Sequence, residues 1–134
     1  MMLIYLDSVI VIYHIDGDPP FRARANKQIS DLESAGDRFA VSHLSRLECR
    51  LQPIRIGDAA TLALYDDFFA LANIQIVPIT QAVFDRATLI RASLNFKVAD
   101  SLHLATAVEA GCGLFLTNDA QLSRFPDIPV EILP

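Results

Sequence analysis

A chain of 134 residues, 52% hydrophobic and 20% charged, has the length and composition of one folded domain with a sizeable core, not of a disordered protein. The net charge of −5 argues against a general electrostatic grip on nucleic acid, although four carboxylates neutralised by a bound cation would leave the chain nearly neutral. No run nears the roughly 18 apolar residues of a membrane span, and LIYLDSVIVIYHI lacks a charged leader and cleavage site, so the cytoplasm is the expected location.

In chain order, LIYLD (Leu3 to Asp7) reads as a buried first strand. The following SVIVIYHI is rich in β-branched residues and by propensity alone would be strand as well. Asp18-Pro19-Pro20 is a break, and Phe21 to Ala35 is an amphipathic helix stopped by Gly36. RFAVS (Arg38 to Ser42) is a second strand, running into a helix from His43 to about Leu51 that Pro53 closes. Gly57-Asp58 opens a helix reaching Asn73, and IQIVPI (Ile74 to Ile79) is a third strand. Thr80 caps a helix to about Leu94. A small-residue helix then opens near Asp100 and ends at Gly111. GLFLTN (Gly113 to Asn118) is a fourth strand, DAQLSRF a short helical turn, and VEIL a fifth strand. Cys49 and Cys112 share no motif and are expected to be buried small hydrophobes.

Strands alternating with helices predict an α/β fold: one domain over residues 1–134, a three-layer sandwich whose central, mostly parallel sheet is flanked by helices. Ligands of such open sheets sit outside the carboxyl ends of the strands. Asp7 ends the first strand and Asp119 follows the fourth, so both acids fall on that rim.

Each acid also has a plain structural use. Asp7 and Asp100 suit helix N-caps, Asp119 suits a strand-to-helix turn, and Ser45 with Glu48 matches a capping box. That last match weakens if the helix starts nearer Ser42. Crowded into one crevice, the four would repel and some would stay protonated unless a cation relieved them. Oxygen ligands without a His or Cys set favour Mg²⁺ or Mn²⁺ over zinc.

Four pieces, LDSVIVIY with Asp7, SRLE with Glu48, VADSLHLATA with Asp100 and FLTNDAQL with Asp119, resemble the PIN-domain ribonucleases, in particular VapC-type toxins of bacterial toxin–antitoxin pairs. They occur in the family's order and span nearly the whole chain. The resemblance implies a PIN-like fold and a Mg²⁺- or Mn²⁺-dependent endoribonuclease in which Asp7, Glu48, Asp100 and Asp119 form the acidic metal site. Asp7 and Asp100 would stand nearest the ion, with Ser8, Thr117 and Asn118 bracing the acids. It further implies a helix directly after Asp7, despite the β-branched run, and a tRNA or ribosomal RNA target. The implied protein partners are a cognate antitoxin whose tail blocks the pocket and a second copy of the chain in a homodimer. The chain departs from the family in placing Ser101 after Asp100 and in carrying only two lysines, Lys27 and Lys97.

Scarce lysine leaves RNA contact to Arg46, Arg50, Arg91 and Arg124, each of which could equally be a solvated surface residue. His103, one turn beyond Asp100, either orients a ligand or is a satisfied, partly buried residue. Rival readings are a PIN-fold module that binds RNA or protein without cleaving it, and a phosphoacceptor receiver domain. The receiver needs an Asp ending the third strand and a Lys ending the fifth, where this chain has VPI and ILP. A nucleotide-binding enzyme lacks its glycine-rich loop here.

Overall fold

The computed structural model describes residues 1–134. Its elements are β1 (Leu3–Leu6), α1 (Ser8–Asp16), α2 (Pro19–Ser34), β2 (Arg38–Ser42), α3 (His43–Ile56), α4 (Ala59–Phe69), β3 (Ile74–Val77), α5 (Gln81–Leu94), α6 (Val98–Glu109), β4 (Leu114–Thr117), a 3-10 turn (Ala120–Arg124) and β5 (Val130–Ile132). The five strands form one sheet in the order β3-β2-β1-β4-β5. Every pairing is parallel, so the expected mostly parallel sheet is wholly so. No helix is long and apolar enough to cross a membrane.

The strand period of two explains why these strands read as unbroken apolar runs. Ile4, Leu6, Phe39, Val41 and Leu116 project into one core layer with α1, α2 and α4. Tyr5, Ala40 and Phe115 project into the other, against α5 and α6. Both faces are covered, so neither needs polar residues. The two cysteines divide between the layers, and burial pushes each thiol up to about 12. They are free, as the sequence suggested.

After Leu6 the chain must reach a parallel neighbour, β2, and only a crossover does that. SVIVIYHID accordingly coils into α1, with Ile10 and Val11 buried and Val9, Ile12, Tyr13 and Ile15 packed around them. Burial on one core layer outweighs the modest helix penalty of β-branched residues. Pro19 and Pro20 open α2 at the positions where their missing N–H groups cost nothing, earlier than the expected Phe21.

Other boundaries differ from the sequence reading too. Pro53 does not close α3; it is buried within the helix, which continues to Ile56 and ends at Gly57 in the left-handed conformation (φ 69°). Packing there holds the last turn despite the lost N–H donor. The next helix ends at Phe69, short of Asn73. Finally, α6 begins at Val98 after a Lys97 N-cap that makes no side-chain bond, so Asp100 sits inside the first turn and caps nothing. Its carboxylate is thereby left for other uses.

Phe115 is fully buried and stacks on Tyr5 at 5.4 Å between centroids. Truncating it with Phe115→Ala should cost about 3–5 kcal/mol in urea unfolding. A loss under about 1 kcal/mol would contradict the packing described.

Candidate active site

From β1 the chain moves outward to β2 and β3, then returns to place β4 and β5 on the opposite side. The strand order therefore reverses between β1 and β4, and a crevice opens at their carboxyl ends. The Asp7 amide still donates to Leu116 O of β4 at 2.9 Å, the last rung before the strands part. A cavity of about 550 Å³ lies at this point, lined by Asp7, Glu48, Asp100 and Asp119 together with Ser8 and Asn118. Residues separated by more than a hundred positions thus meet where the topology demands a gap.

Asp7 is held from both oxygens. Oδ1 accepts from its neighbour's amide, Ser8 N, at 2.8 Å, and Oδ2 accepts from Thr117 Oγ1 at 2.7 Å. Thr117 Oγ1 in turn accepts from the Asp119 amide at 3.1 Å, so one buried hydroxyl braces two of the acids. Asp119 Oδ1 accepts from Gln121 N at 3.0 Å, which makes it the cap of the 3-10 turn as well. Asn118 Nδ2 donates to Tyr13 Oη at 2.8 Å and joins the rim to α1.

Glu48 comes from the second turn of α3, whose cap is Ser42, paired reciprocally with Ser45. The Ser45–Glu48 capping box does not form, because the helix starts one turn earlier. The Glu48 carboxylate instead accepts from Ser8 Oγ at 2.8 Å and from the His103 ring at 2.5 Å, both on Oε1.

Electrostatics divide the acids. Burial pushes the Asp7 carboxyl above the ordinary carboxylate range, against the lowering influence of His103, Thr117 and the Ser8 amide. Asp100 is raised too, first by burial and then by the charges of Asp7 and Asp119, with His103 and Lys97 opposing. Burial would raise Glu48 as well, but its hydrogen bond and charge interaction with His103, and then the Ser8 hydroxyl, hold it low. Asp100 thus feels Asp7 and Asp119 across the cavity, Asp7 feels Glu48, and Glu48 itself is tied to His103.

No three His, Cys, Asp or Glu side chains stand close enough together to enclose an ion by themselves. The acids share a cavity without forming a closed cage. Mg²⁺ suits such an arrangement, since it keeps several waters and typically binds protein through one or two carboxylates.

The four arginines stand elsewhere. None lines the cavity. Arg50 Nε pairs with Asp66 at 2.9 Å, and Arg46 lies beside His43 on the same outer face. Arg91 and Arg124 bond the carbonyls of Phe96 and Leu94, and Arg124 lies over the Phe96 ring, so both clamp the turn that leads into α6. The cation on the rim is Lys97, at the end of that turn. Its placement three residues before Asp100 was a signal the sequence reading left unused. Tyr5 was also missed, because its hydroxyl hides in an apolar strand; it contacts His103 Nδ1 at 2.7 Å and Ser42 Oγ at 3.1 Å.

A family model of the PIN domain matches residues 4–128. No curated protein sequence matches. Among solved structures, VapBC2 from Rickettsia felis bound to a promoter DNA fragment superposes with a TM-score of 0.82 at 16% identity, covering 99% of this chain and 100% of that one. DNA-bound VapBC from Salmonella typhimurium gives 0.75 at 20% identity, with both chains fully covered. VapC20 of Mycobacterium tuberculosis, described as a sarcin-ricin loop cleaving toxin, gives 0.75 at 13% identity over 98% of this chain and 99% of that one. At these identities the superpositions show a common fold.

Because Asp100 holds its proton more tightly folded than unfolded, its ionisation destabilises the fold above its folded pKa and has no effect well below the ordinary carboxylate range. In EDTA, Asp100→Asn should therefore melt a few degrees above the parent at pH 7. The gap should close towards about pH 3, where Asp100 is protonated in both states. Thermal melts at the two pH values decide; a variant less stable at neutral pH would refute the crowding.

Proposed function

The chain belongs to the PIN-domain family, and on that footing we propose that it is a metal-dependent endoribonuclease, the toxin of a type II toxin–antitoxin pair. The observation that carries this reading is the gathering of Asp7, Glu48, Asp100 and Asp119 on one cavity at the reversal of strand order, with Asp100 raised first by burial and then by its acidic neighbours. Unrelieved carboxylate repulsion is a cost, and the donor set is all oxygen, which fits Mg²⁺ or Mn²⁺.

In this proposal Asp7, Asp100, Asp119 and Glu48 would hold the ion. When bound, a divalent metal supplies an activated water for in-line attack on the phosphodiester and stabilises the leaving oxygen. The chain's own contribution is orientation. Thr117 and the Ser8 amide fix both oxygens of Asp7, so its carboxylate is set before substrate arrives. Asp119 is held through its amide by the same threonine and through Oδ1 by the 3-10 turn. Lys97 is the one cation lining the cavity, suited to a phosphate oxygen of the RNA strand entering an otherwise anionic site. A tRNA or ribosomal RNA loop is the substrate class we propose.

The antitoxin partner finds support in what surrounds the acids. Leu47 and Leu51 of α3 are 60% and 42% exposed, and with Val9 and Ile12 they line the same cavity. Large apolar side chains left in water beside a cluster of carboxylates suit a partner segment carrying both apolar and basic residues. Such a segment would cover the apolar stripe and place its cation among the acids. Homodimerisation belongs to the same proposal.

Expression of the parent should arrest growth and leave discrete RNA fragments, whereas the Asp7→Asn, Asp100→Asn double variant should do neither. In vitro, its cleavage should fall by at least about 100-fold, since the metal site supplies several kcal/mol of transition-state stabilisation. Equal toxicity of the two chains would sink the reading. Lys97→Ala should weaken RNA binding across sequences and reduce the log K against log salt slope by about 1. An unchanged slope would remove Lys97 from the RNA path.

A further inference from the structure

The geometry points to His103 as a positioning residue for Glu48, fixing that carboxylate so that one oxygen is reserved for the cavity. This inference deepens the metal-nuclease reading and rests on it.

His103 is 1% exposed, in the body of α6, and both ring nitrogens are engaged. An ionised Glu48 can only accept, so Nε2 carries the hydrogen between them, and Nδ1 faces the Tyr5 hydroxyl. Tyr5 is itself immobilised: fully buried, stacked on Phe115 and hydrogen-bonded to Ser42 Oγ. Ser42 is the cap of α3, the helix that carries Glu48. The network therefore touches α3 twice, at its cap through Tyr5 and at Glu48 through the imidazole. That closes a ring of contacts joining α6, β1 and α3.

The arrangement at Glu48 is specific. Its side chain keeps 33% of its surface exposed, and a glutamate with that freedom ordinarily samples several rotamers. Here Ser8 Oγ and His103 Nε2 both bond to Oε1. The two donors select one rotamer and leave Oε2 without a claim from either of them. A buried histidine acting only as packing would not need its Nε2 on a half-exposed carboxylate. The polar atoms of the network are all satisfied, so the ring is a built feature and not a compromise.

Two substitutions separate the roles of the two nitrogens. In His103→Gln the amide nitrogen falls near the place of Nε2 and keeps the bond to Glu48. In His103→Asn it falls near Nδ1 and serves Tyr5 alone. Both are smaller and polar, so a purely structural role predicts similar behaviour. Each purified chain is titrated with Mn²⁺ by electron paramagnetic resonance without RNA, and the Glu48 side-chain rotamer is read by NMR couplings in EDTA. Thermal melts confirm that each variant is folded. We expect the Gln variant to stay within a few-fold of the parent and the Asn variant to lose Mn²⁺ affinity by about 10–100-fold, the usual cost of removing such support. The Glu48 rotamer should be single in the parent and the Gln variant and averaged in the Asn variant. A single rotamer with unchanged affinity in a folded Asn variant, or equal losses in both variants, overturns the positioning role. A parent that binds no Mn²⁺ but shows the rotamer contrast instead overturns the metal reading and leaves His103 as the residue that orients Glu48. Should the Asn variant fail to fold, Tyr5→Phe, which frees Nδ1 alone, takes its place. Partial rotamer averaging there supports the role, and none overturns it.

Discussion

The pairing of β1 with β2 on one side and β4 on the other is the constraint from which the rest of this molecule follows. A central strand whose neighbours lead away in opposite directions must leave a gap at its carboxyl end, because the connections depart to opposite sides. Asp7 occupies that end, and Thr117 ends the strand beside it. Their side chains meet at 2.7 Å, which converts a topological accident of strand order into a fixed carboxylate. The helices that follow β2 and α5 then bring Glu48 and Asp100 to the same opening.

Gathering negative charge in this way works against the fold. Water is partly excluded, like charges face one another, and Asp7 and Asp100 are both raised. The chain does not answer with arginines: Arg50 is committed to Asp66, and Arg91 and Arg124 to the turn around Phe96. It answers with hydrogen-bond donors close to the acids, an amide, two hydroxyls and an imidazole, which orient the oxygens. A site compensated by its own cations would have little remaining affinity for an external one. Donors that orient the carboxylates while leaving Glu48 Oε2 and the Asp100 carboxylate unclaimed keep that affinity available.

At several places tertiary packing overrules a local rule. SVIVIYHI has strand propensity, but the helix that the family resemblance implied there is what forms, because the chain needs a crossover and a buried face on one core layer. Pro53 is a helix breaker by local chemistry, and burial carries the helix through it. Asp100 resembles a cap, but α6 is capped three residues earlier at Lys97, directly after the turn that Arg91 and Arg124 bond. In the last case the displacement matters most, since a true cap would have spent its carboxylate on the helix.

The sequence by itself determined the alternation of strands and helices, the parallel sheet, the burial of both cysteines and the place of Asp7 and Asp119 at strand ends on the rim. All of these are properties of local pattern, set by side-chain period and by residue type. Only the tertiary structure decided that Glu48 is tied to His103 and Ser8, that Tyr5 turns its hydroxyl toward the site, and that Lys97 stands on the rim while four arginines do not. Those are contacts between residues up to about a hundred positions apart, and no periodicity records them. They exist because burial allows a polar atom only where a partner awaits it, and the partner is chosen by how the layers close.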